Sequence, residues 1–280
     1  MAAFDLRDRV ALITGAASGI GRALAEAAAA RGMALALGDI DETALTATAD
    51  ALRAAGARVV ARRADVRLPA DHEALRDAAL TAFGAIHLLI NNAGVGAAGS
   101  ILAGHLDDWR HSLDVNLYGV LHGLRAIVPA MIEGGQPGHI VNVASLAGVT
   151  TNPGFGPYTL AKHGVVLVSE TLAQELTMAG HAPRLGVSAF CPGYIQTALA
   201  TNTRACAAHD TRAPDRLRDA VTAYVAQAVA TGMHPAAAAA IVLDAVEARR
   251  FWIFTHPFTA TEIRKRTDAM LAAADAIATR

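Results

Sequence analysis

Short apolar runs alternate along the chain with longer stretches in which apolar residues recur every three to four positions. The short runs predict buried strands, and the periodic stretches predict helices. Regular alternation of the two favours an α/β fold with a doubly wound parallel sheet in three layers, built as a single domain over residues 1–280. Strands are predicted at 9–13, 33–38, 58–62, 86–90, 139–144, 185–191 and 249–255, and helices up to residue 30, at 42–55, 70–83 and 105–132, and after Pro157.

A glycine-containing turn, Thr-Gly-Ala-Ala-Ser-Gly-Ile-Gly at 14–21, joins the first predicted strand to the first helix. Glycine lets the backbone approach a pyrophosphate, and the helix N-terminus offers unpaired N–H groups. The spacing Gly-x-x-x-Gly-x-Gly departs from the Gly-x-Gly-x-x-Gly fingerprint, and a glycine turn without a ligand is the alternative. The candidate cofactor-binding residues here are Gly15, Ser18, Gly19, Ile20 and Gly21.

Asp39 ends the second predicted strand, eighteen residues after the last glycine of this turn. An acidic side chain at about this distance accepts hydrogen bonds from the adenosine ribose of a dinucleotide. Its charge also repels a 2′-phosphate, and neither Ser18 nor Ile40 offers a basic side chain to attract one. The sequence therefore favours NAD over NADP. The alternative is that Asp39 caps the helix beginning near Glu42, although Asp41 is the better cap candidate.

Three protic side chains, Ser145, Tyr158 and Lys162, are candidate catalytic groups. Tyr158 and Lys162 are four positions apart in a predicted helix, so they project from one face. A fixed ammonium beside the phenol stabilises the phenolate and lowers its pKa, which suits the tyrosine for proton exchange with an alcohol or a carbonyl oxygen. Ser145 follows a predicted buried strand, so its hydroxyl is expected at the carboxyl edge of the sheet, where it can donate to a developing alkoxide.

Lysine is scarce in this chain. Of the 24 lysines and arginines, only Lys162 and Lys265 are lysines. Retention of a lysine at position 162 fits a role that needs a compact ammonium and not a planar guanidinium. The alternative is a lysine on the helix surface, since Tyr-x-x-x-Lys alone is a common coincidence.

Composition and charge exclude several classes of function. A net charge of −1 over 280 residues offers no basic surface for nucleic acid and no polybasic segment for a membrane. Residues 1–10 lack a signal-peptide core, and no stretch is expected to reach membrane-spanning length. Cys191 and Cys206 cannot form a disulfide framework, so a cytoplasmic location is expected. The 11 histidines include no His-Glu-x-x-His motif, and no metal site is predicted.

Asn116 lies in the predicted helix 105–132. An asparagine inside an apolar helix more often satisfies its hydrogen bonds locally than takes part in chemistry. This helix and the helix after Pro157 are both apolar on more than one face. Such faces suggest a subunit interface in addition to core contacts, so a homo-oligomer, a dimer or a tetramer, is expected.

Residues 198–234 show no strand pattern and follow the sixth predicted strand. A long segment in this position would lie over the carboxyl edge of the sheet, so a substrate lid is predicted at about 196–235. A tail at about 256–280 is predicted to be a weakly amphipathic helix, and no role is predicted for it. The lid region carries Arg204, Arg212, Arg216 and Arg218.

Taken together, the motifs resemble those of the short-chain dehydrogenase/reductase family in its one-domain form. The resemblance covers residues 6–255 approximately and rests on 14–21, 91–94, Asn116, Ser145, Tyr158 with Lys162, and 192–197. His87 stands where the family usually has an aspartate, which we interpret as a structural change. The chain also lacks the glycine-rich C-terminal ending of the family's ketoacyl-thioester reductases, which weakens an assignment to fatty-acid synthesis.

The resemblance implies a role for each matching residue. Tyr158 would be the general acid/base, Lys162 would lower its pKa and bind the nicotinamide ribose, and Ser145 would polarise the substrate oxygen. Asn116 would hold a water that relays protons to Lys162. Further cofactor contacts are implied at Asp65 and Val66 for the adenine, at Asn92, Ala93 and Gly94 for the ribose, at Ile195 and Thr197 for the carboxamide, and at Pro192 and Gly193 in the same motif.

These observations lead to the hypothesis of an NAD-dependent oxidoreductase that interconverts a secondary alcohol and a ketone. A modest apolar or aromatic alcohol is the expected substrate. One alternative is the same fold reducing a C=N or C=C bond, and another is a nucleotide-sensing protein without catalysis. A non-catalytic protein would be marked by loss of Ser145, Tyr158 or Lys162, and all three are present.

Overall fold

The computed structural model describes residues 4–102, 104–197 and 216–278. Seven parallel strands form one sheet in the order 3-2-1-4-5-6-7. The chain starts at the centre of this sheet and winds outward in both directions, so the predicted doubly wound fold is confirmed. The strands are β1 Val10–Thr14, β2 Ala34–Asp39, β3 Val59–Arg63, β4 Leu88–Asn91, β5 Gly138–Val143, β6 Leu185–Cys191 and β7 Trp252–Phe254.

Helices cover both faces of the sheet. One hydrophobic core contains Leu24, Leu45 and Val242, and the other contains residues such as Leu75 and Ile127. The helices are α1 Gly19–Ala30, α2 Glu42–Ala54, α3 Pro69–Phe83, α4 Leu106–Leu113, α5 Gly119–Glu133, α6 Gly156–Met178, α7 Arg216–Ala230, α8 Pro235–Glu247 and α9 Thr259–Ala278. The first core lies under α1, α2 and α8, and the second lies under α3, α5 and α6.

The last strand, β7, is shorter than the predicted 249–255. Arg249 has a φ of 51°, in the left-handed region. The Arg250 N–H donates to the Ala245 carbonyl oxygen at 2.9 Å. Residues 249 and 250 therefore form the turn that ends α8, and the chain becomes extended only at Trp252.

The helical run Leu106–Glu133 joins α4 and α5 through a π-helical turn, Asp114–Tyr118. It is 28 residues long and apolar enough to cross a membrane by length and composition. The prediction that no stretch reaches that length is therefore wrong. Because 56% of its most apolar window is buried inside the fold, the run has the burial of a core helix.

The predicted lid and tail are each described only in part. Residues 198–215 of the lid, with Arg204 and Arg212, lie outside the described residues. The remainder of the lid contains α7, and the tail contains α9. Much of α9 is exposed, including the apolar side chains of Met270, Leu271 and Ile277.

Candidate active site

A cavity of about 530 Å³ opens at the carboxyl edge of the sheet. The strands are parallel, so the segments that follow them converge at this edge. Of the predicted site residues only Gly21 is absent from the lining of the cavity. Those that line it are Gly15, Ser18, Gly19, Ile20, Asp39, Ile40, Asp65, Val66, Asn92, Ala93, Gly94, Asn116, Ser145, Tyr158, Lys162, Pro192, Gly193, Ile195 and Thr197.

Gly21 has a packing role beneath the cavity. A Cβ atom at this position would overlap the carbonyl oxygen of Gly15 and the side-chain amide of Asn92. Gly15 itself has a φ of 66°, which favours glycine. The two glycines therefore allow the turn after β1 to fold tightly against α1, and they leave backbone next to the cavity where a pyrophosphate would lie.

Thr14 and Asn92 hold this turn in place. The Thr14 hydroxyl oxygen accepts from the Asn92 N–H at 3.0 Å and from the Ala93 N–H at 3.2 Å. In return, the Asn92 side-chain amide donates to the Thr14 carbonyl at 2.9 Å and to the Gly15 carbonyl at 3.0 Å. Asn92 thus connects the ends of β1 and β4. This structural role is separate from the cofactor contact that the resemblance implies.

The Asp39 carboxylate lies at the end of β2, beside the glycine turn. One oxygen accepts from the Ala17 N–H at 2.9 Å, and the other accepts from the Asp41 N–H at 3.0 Å. Asp41 caps α2 by accepting from the Ala44 N–H at 3.0 Å. The cap of α2 is therefore Asp41, as the sequence favoured, and Asp39 remains at the cavity wall.

Arg67 is a site residue that the sequence analysis missed. Its guanidinium donates to both carboxylate oxygens of Asp65, at 2.6 Å between Nη2 and Oδ2 and at 2.9 Å between Nε and Oδ1. This pairing lowers the pKa of Asp65. Arg67 also lines the cavity, next to Val66. Its position two residues after Asp65 was the available signal.

Ser145 follows β5 and begins a short 3₁₀ turn, Leu146–Gly148. Its side-chain oxygen accepts from the Ala147 N–H at 3.1 Å, which fixes the hydroxyl at the cavity. Ser145 lies near enough to the Tyr158 hydroxyl to lower the pKa of that phenol, and both side chains line the cavity. The strand end and the first turns of α6 thus bring the two protic side chains to one cavity.

The expected lowering of the Tyr158 pKa by Lys162 is not what the structure shows. Burial raises the pKa of Tyr158, and the nearby Ser145 side chain opposes this increase only in part. The Lys162 Nζ lies 5.7 Å from the centroid of the Tyr158 ring. Burial also lowers the pKa of Lys162, so removal from water sets the direction of both pKa shifts.

Lys162 is 4% exposed, and its ammonium donates to the Val143 carbonyl at 2.7 Å. Burial lowers the pKa of Lys162 to about 8. The alternative of a lysine on the helix surface is therefore wrong. Its Nζ lies near Gly94, opposite the Asn116 side chain.

Asn116 lies in the π-helical turn and is fully buried. Its side chain bonds both the N–H and the carbonyl of Val95, each at 3.0 Å, and donates to the Ser112 hydroxyl at 3.2 Å. Only the bond to Ser112 is local, as the structural alternative expected, because Val95 is 21 positions away along the chain. The bonds to Val95 fix the segment that follows β4 on one side of the cavity.

His87 and the cysteines lie apart from these groups. The His87 Nδ1 accepts from the Val10 N–H at 3.0 Å, and Nε2 donates to the Gln136 side chain at 2.6 Å, which ties the start of β4 to its neighbours. Cys191 is buried, whereas Cys206 lies outside the described residues. Across residues 4–102, 104–197 and 216–278 no group of three or more His, Cys, Asp or Glu side chains could hold a metal ion.

The remainder of the cavity wall was not predicted residue by residue. Some of these residues follow Ser145 directly in the sequence and could have been found by extending the strand-end argument. Those from α7 fall within the segment predicted as a lid over this edge, but no individual residue of the helix was singled out, because which of its side chains face the cavity depends on tertiary packing. The additional lining residues include Leu146, Thr150, Asn152, Phe155, Tyr194, Thr222, Val225 and Val229.

Comparison with known proteins agrees with this geometry. A family profile described as short chain dehydrogenase matches residues 9–207. A CLA biosynthesis dehydrogenase/reductase of Lactiplantibacillus plantarum is 35% identical over 90% of both chains. A cyclohexanol dehydrogenase of an Acinetobacter strain is 37% identical over 69% of this chain and 75% of its own.

Among solved structures, a short-chain dehydrogenase/reductase from Burkholderia phymatum, crystallised in complex with NAD, is 42% identical. It superposes with a TM-score of 0.91 and covers 96% of each chain. The similarity thus extends over nearly the whole chain. The chain belongs to the short-chain dehydrogenase/reductase family of oxidoreductases.

Proposed function

We propose that the protein is an NAD-dependent oxidoreductase that interconverts a secondary alcohol and a ketone. The observation that carries this proposal is that Ser145, Tyr158 and Lys162 line one cavity, with the Lys162 ammonium 5.7 Å from the centroid of the Tyr158 ring. Two protic oxygens at one point can bind a single substrate oxygen. A sheet edge with a glycine turn beside this pair can hold a dinucleotide.

The proton transfers in this proposal are assigned to Tyr158. During reduction, the phenol hydroxyl would donate its proton to the carbonyl oxygen, while Ser145 donates a hydrogen bond to the same oxygen. During oxidation, the phenolate oxygen would take the proton of the alcohol, and Lys162 would stabilise the negative charge on it. When bound, the nicotinamide cofactor would supply the hydride for reduction and its acceptor for oxidation.

Asp39 and its surroundings support NAD as the cofactor. A carboxylate at the end of β2 suits the two hydroxyls of a ribose and repels a 2′-phosphate. Ser18 and Ile40 line the same part of the cavity and carry no positive charge. The Arg67 guanidinium is already paired with Asp65. The relative from Burkholderia phymatum was crystallised with NAD.

A modest apolar or aromatic secondary alcohol is the proposed substrate. The cavity that contains Ser145 and Tyr158 is also lined by Leu146, Phe155 and Val225. Such a lining favours an apolar ligand whose one polar group meets the two hydroxyls. A relative that is a cyclohexanol dehydrogenase supports the same class of substrate.

A panel of alcohols and ketones would test this function, with each substrate supplied with NAD(H) and with NADP(H). The proposal expects turnover of secondary alcohols that is faster with NAD, followed by the absorbance of NADH. Reduction only of C=N or C=C substrates would assign a different reaction to the same site. Binding of NADH without any turnover would favour a nucleotide-sensing protein.

We also propose that the protein forms a homo-oligomer. Apolar side chains on α6 and at the π-helical turn are exposed in the single chain: Tyr118 is 49%, Leu160 is 50% and Leu167 is 63% exposed. A second copy that covered them would bury this apolar surface. Sedimentation at micromolar concentration would test this, and a monomeric mass would contradict it.

A further inference from the structure

Two histidines from different helices donate to one carbonyl oxygen, that of Val66. The Nε2 atom of His72, in α3, lies 3.0 Å from this oxygen, and the Nδ1 atom of His122, in α5, lies 3.2 Å from it. A carbonyl oxygen only accepts, and it has two lone pairs. Both nitrogens must therefore carry hydrogen, and both bonds can be made at once.

The rest of the Val66 segment is also held by its neighbours. A Cβ atom at Gly119 would come within 2.9 Å of the Val66 side chain, so α5 packs directly against this residue. Just before it, the Asp65 N–H donates to the Asp71 carboxylate at 2.7 Å. The Leu68 N–H then closes a turn onto the Asp65 carbonyl at 2.9 Å. Val66 is thus fixed from α3 and from α5.

The hydrogen bond from His72 to Val66 requires a buried imidazole, which lowers the stability of the folded protein. It is 2% exposed, and burial lowers its pKa, so the ring is neutral. Its Nδ1 atom is buried without a hydrogen-bond partner among the residues that the structure describes. A buried imidazole with one unsatisfied nitrogen is less favourable than an apolar side chain of similar size. The bond to Val66 is the one hydrogen bond that its side chain makes to the described part of the chain.

Val66 presents a donor at the cavity. It lines the wall together with Asp39, Ile40 and Asp65. Within the described residues, its own N–H has no acceptor. An adenosine ribose bound at Asp39 would place the base farther along this edge, toward the end of β3, where Val66 lies.

We propose that His72 and His122 are positioning residues that fix the Val66 backbone for hydrogen bonding to the adenine of the cofactor. Neither side chain lines the cavity, so both act through the shared carbonyl oxygen. The inference rests on the proposed use of NAD. It assigns a purpose to a pair of histidines that lies outside the proton-transfer machinery.

Binding titrations with the full-length protein test this inference without any substrate. His122→Asn keeps a donor near the position of Nδ1, whereas His122→Leu and His72→Leu remove the donor. Each leucine variant should weaken NADH binding by about three- to tenfold, the range that one neutral hydrogen bond supports. His122→Asn should bind NADH nearly as the wild type does. His181→Leu, a change at the opposite edge of the sheet, is the matched control and should have no effect.

Reduced nicotinamide mononucleotide lacks the adenosine and separates positioning from general loss of structure. Its affinity should be equal in the wild type and in both leucine variants. Unchanged NADH affinity in those variants would overturn the inference, and so would an equal loss of affinity for the mononucleotide. His122→Asn as weak as His122→Leu would also overturn it. A wild type that binds NADH but turns over no alcohol would refute the proposed reaction and leave this inference standing.

Discussion

Asn116 binds both backbone polar groups of Val95, accepting from the N–H and donating to the carbonyl, each at 3.0 Å. The two residues are 21 positions apart, and one belongs to the π-helical turn while the other follows β4. This side chain therefore bridges the π-helical turn and the loop after Gly94, and it holds that loop in place. Gly94 in turn lies next to the Lys162 ammonium, so the position of the loop and the position of the candidate catalytic residues are coupled.

Replacing Asn116 with alanine should destabilise the fold and lower activity together. The change removes both bonds to Val95, whose backbone is partly buried at the cavity wall, so we expect a loss of about 1–3 kcal/mol in the free energy of unfolding. Urea denaturation measures this. Ser112→Ala is the control, because it removes only the hydrogen bond between Asn116 and Ser112. This variant should lose about 1 kcal/mol or less in the free energy of unfolding. Wild-type stability of Asn116→Ala would contradict the role of the Val95 bonds.

Tyr158→Phe should remove most turnover while NADH binding remains. The change deletes the one hydroxyl assigned to proton transfer, and general acid–base catalysis contributes about 10²–10⁴-fold to a rate. Steady-state kinetics with an alcohol that the wild type oxidises would measure the loss. Tyr118→Phe removes a hydroxyl from an exposed tyrosine outside the cavity and should keep the wild-type rate. If Tyr158→Phe retains that rate, the assignment of the acid/base is wrong.

The rates of ketone reduction and alcohol oxidation should depend differently on pH. Because burial raises the pKa of Tyr158, the phenol form predominates at neutral pH. Reduction uses this form and should change little from neutral pH upward until the phenol ionises. Oxidation uses the phenolate, so its rate should increase as the pH rises. Pre-steady-state rates in both directions would show this, and an oxidation rate that is constant from neutral to alkaline pH would contradict it.

Asp39→Asn should shift cofactor preference toward NADP. Asparagine keeps an acceptor oxygen for the Ala17 or the Asp41 N–H but removes the charge that repels a 2′-phosphate. We expect the ratio of kcat/KM for NAD to that for NADP to fall about tenfold or more, since a change of about 1.4 kcal/mol corresponds to that factor. Asp41→Asn, a change at the α2 cap, is the matched control. An unchanged ratio in Asp39→Asn would refute the charge argument.

Lys162→Met should abolish turnover and yet make the cofactor-free protein more stable at neutral pH than the wild type. Burial lowers the pKa of Lys162 from 10.5 to about 8, so the folded wild type carries a penalised charge below pH 8. Between about pH 8 and 10.5 the unfolded wild type binds more protons than the folded one, and its stability rises with pH relative to the variant. The difference in the free energy of unfolding between the variant and the wild type should shrink by up to about 3 kcal/mol across this pH range. Denaturation of both proteins at several pH values measures the difference, and a difference that does not depend on pH would contradict burial of the charge.

The strands were predictable because their burial is continuous in the sequence. All six residues of β5 are buried, and apart from His139 and Asn142 they are apolar or small. The side chains that follow these strands then converge by topology alone, so Asp39, Ser145 and the glycine turn could be assigned to one edge. The start of β7 was predicted wrongly at Arg249, because a positive φ at an arginine has no reliable sequence signal.

The protonation state of Tyr158 could not be predicted from its spacing to Lys162. Spacing shows that the two side chains share a face, which argues for a lowered pKa. The degree to which both are removed from water depends on the whole fold, and here it is the larger effect. For the same reason, the bonds from His72 and His122 to Val66 could not be foreseen, since they join three separate segments.

The π-helical turn Asp114–Tyr118 makes the number of residues in this helix a constraint on the site. The Gly119 N–H bonds the Asp114 carbonyl, five residues back, so the turn holds one residue more than an α-helix would. Deleting one residue there would permit an unbroken α-helix. It would also rotate α4, which precedes the turn, by about 100° around the helix axis. Ser112 would leave Asn116, and Trp109 would leave its place against Gly156. A shortening that improves the helix would thus dismantle one wall of the cavity.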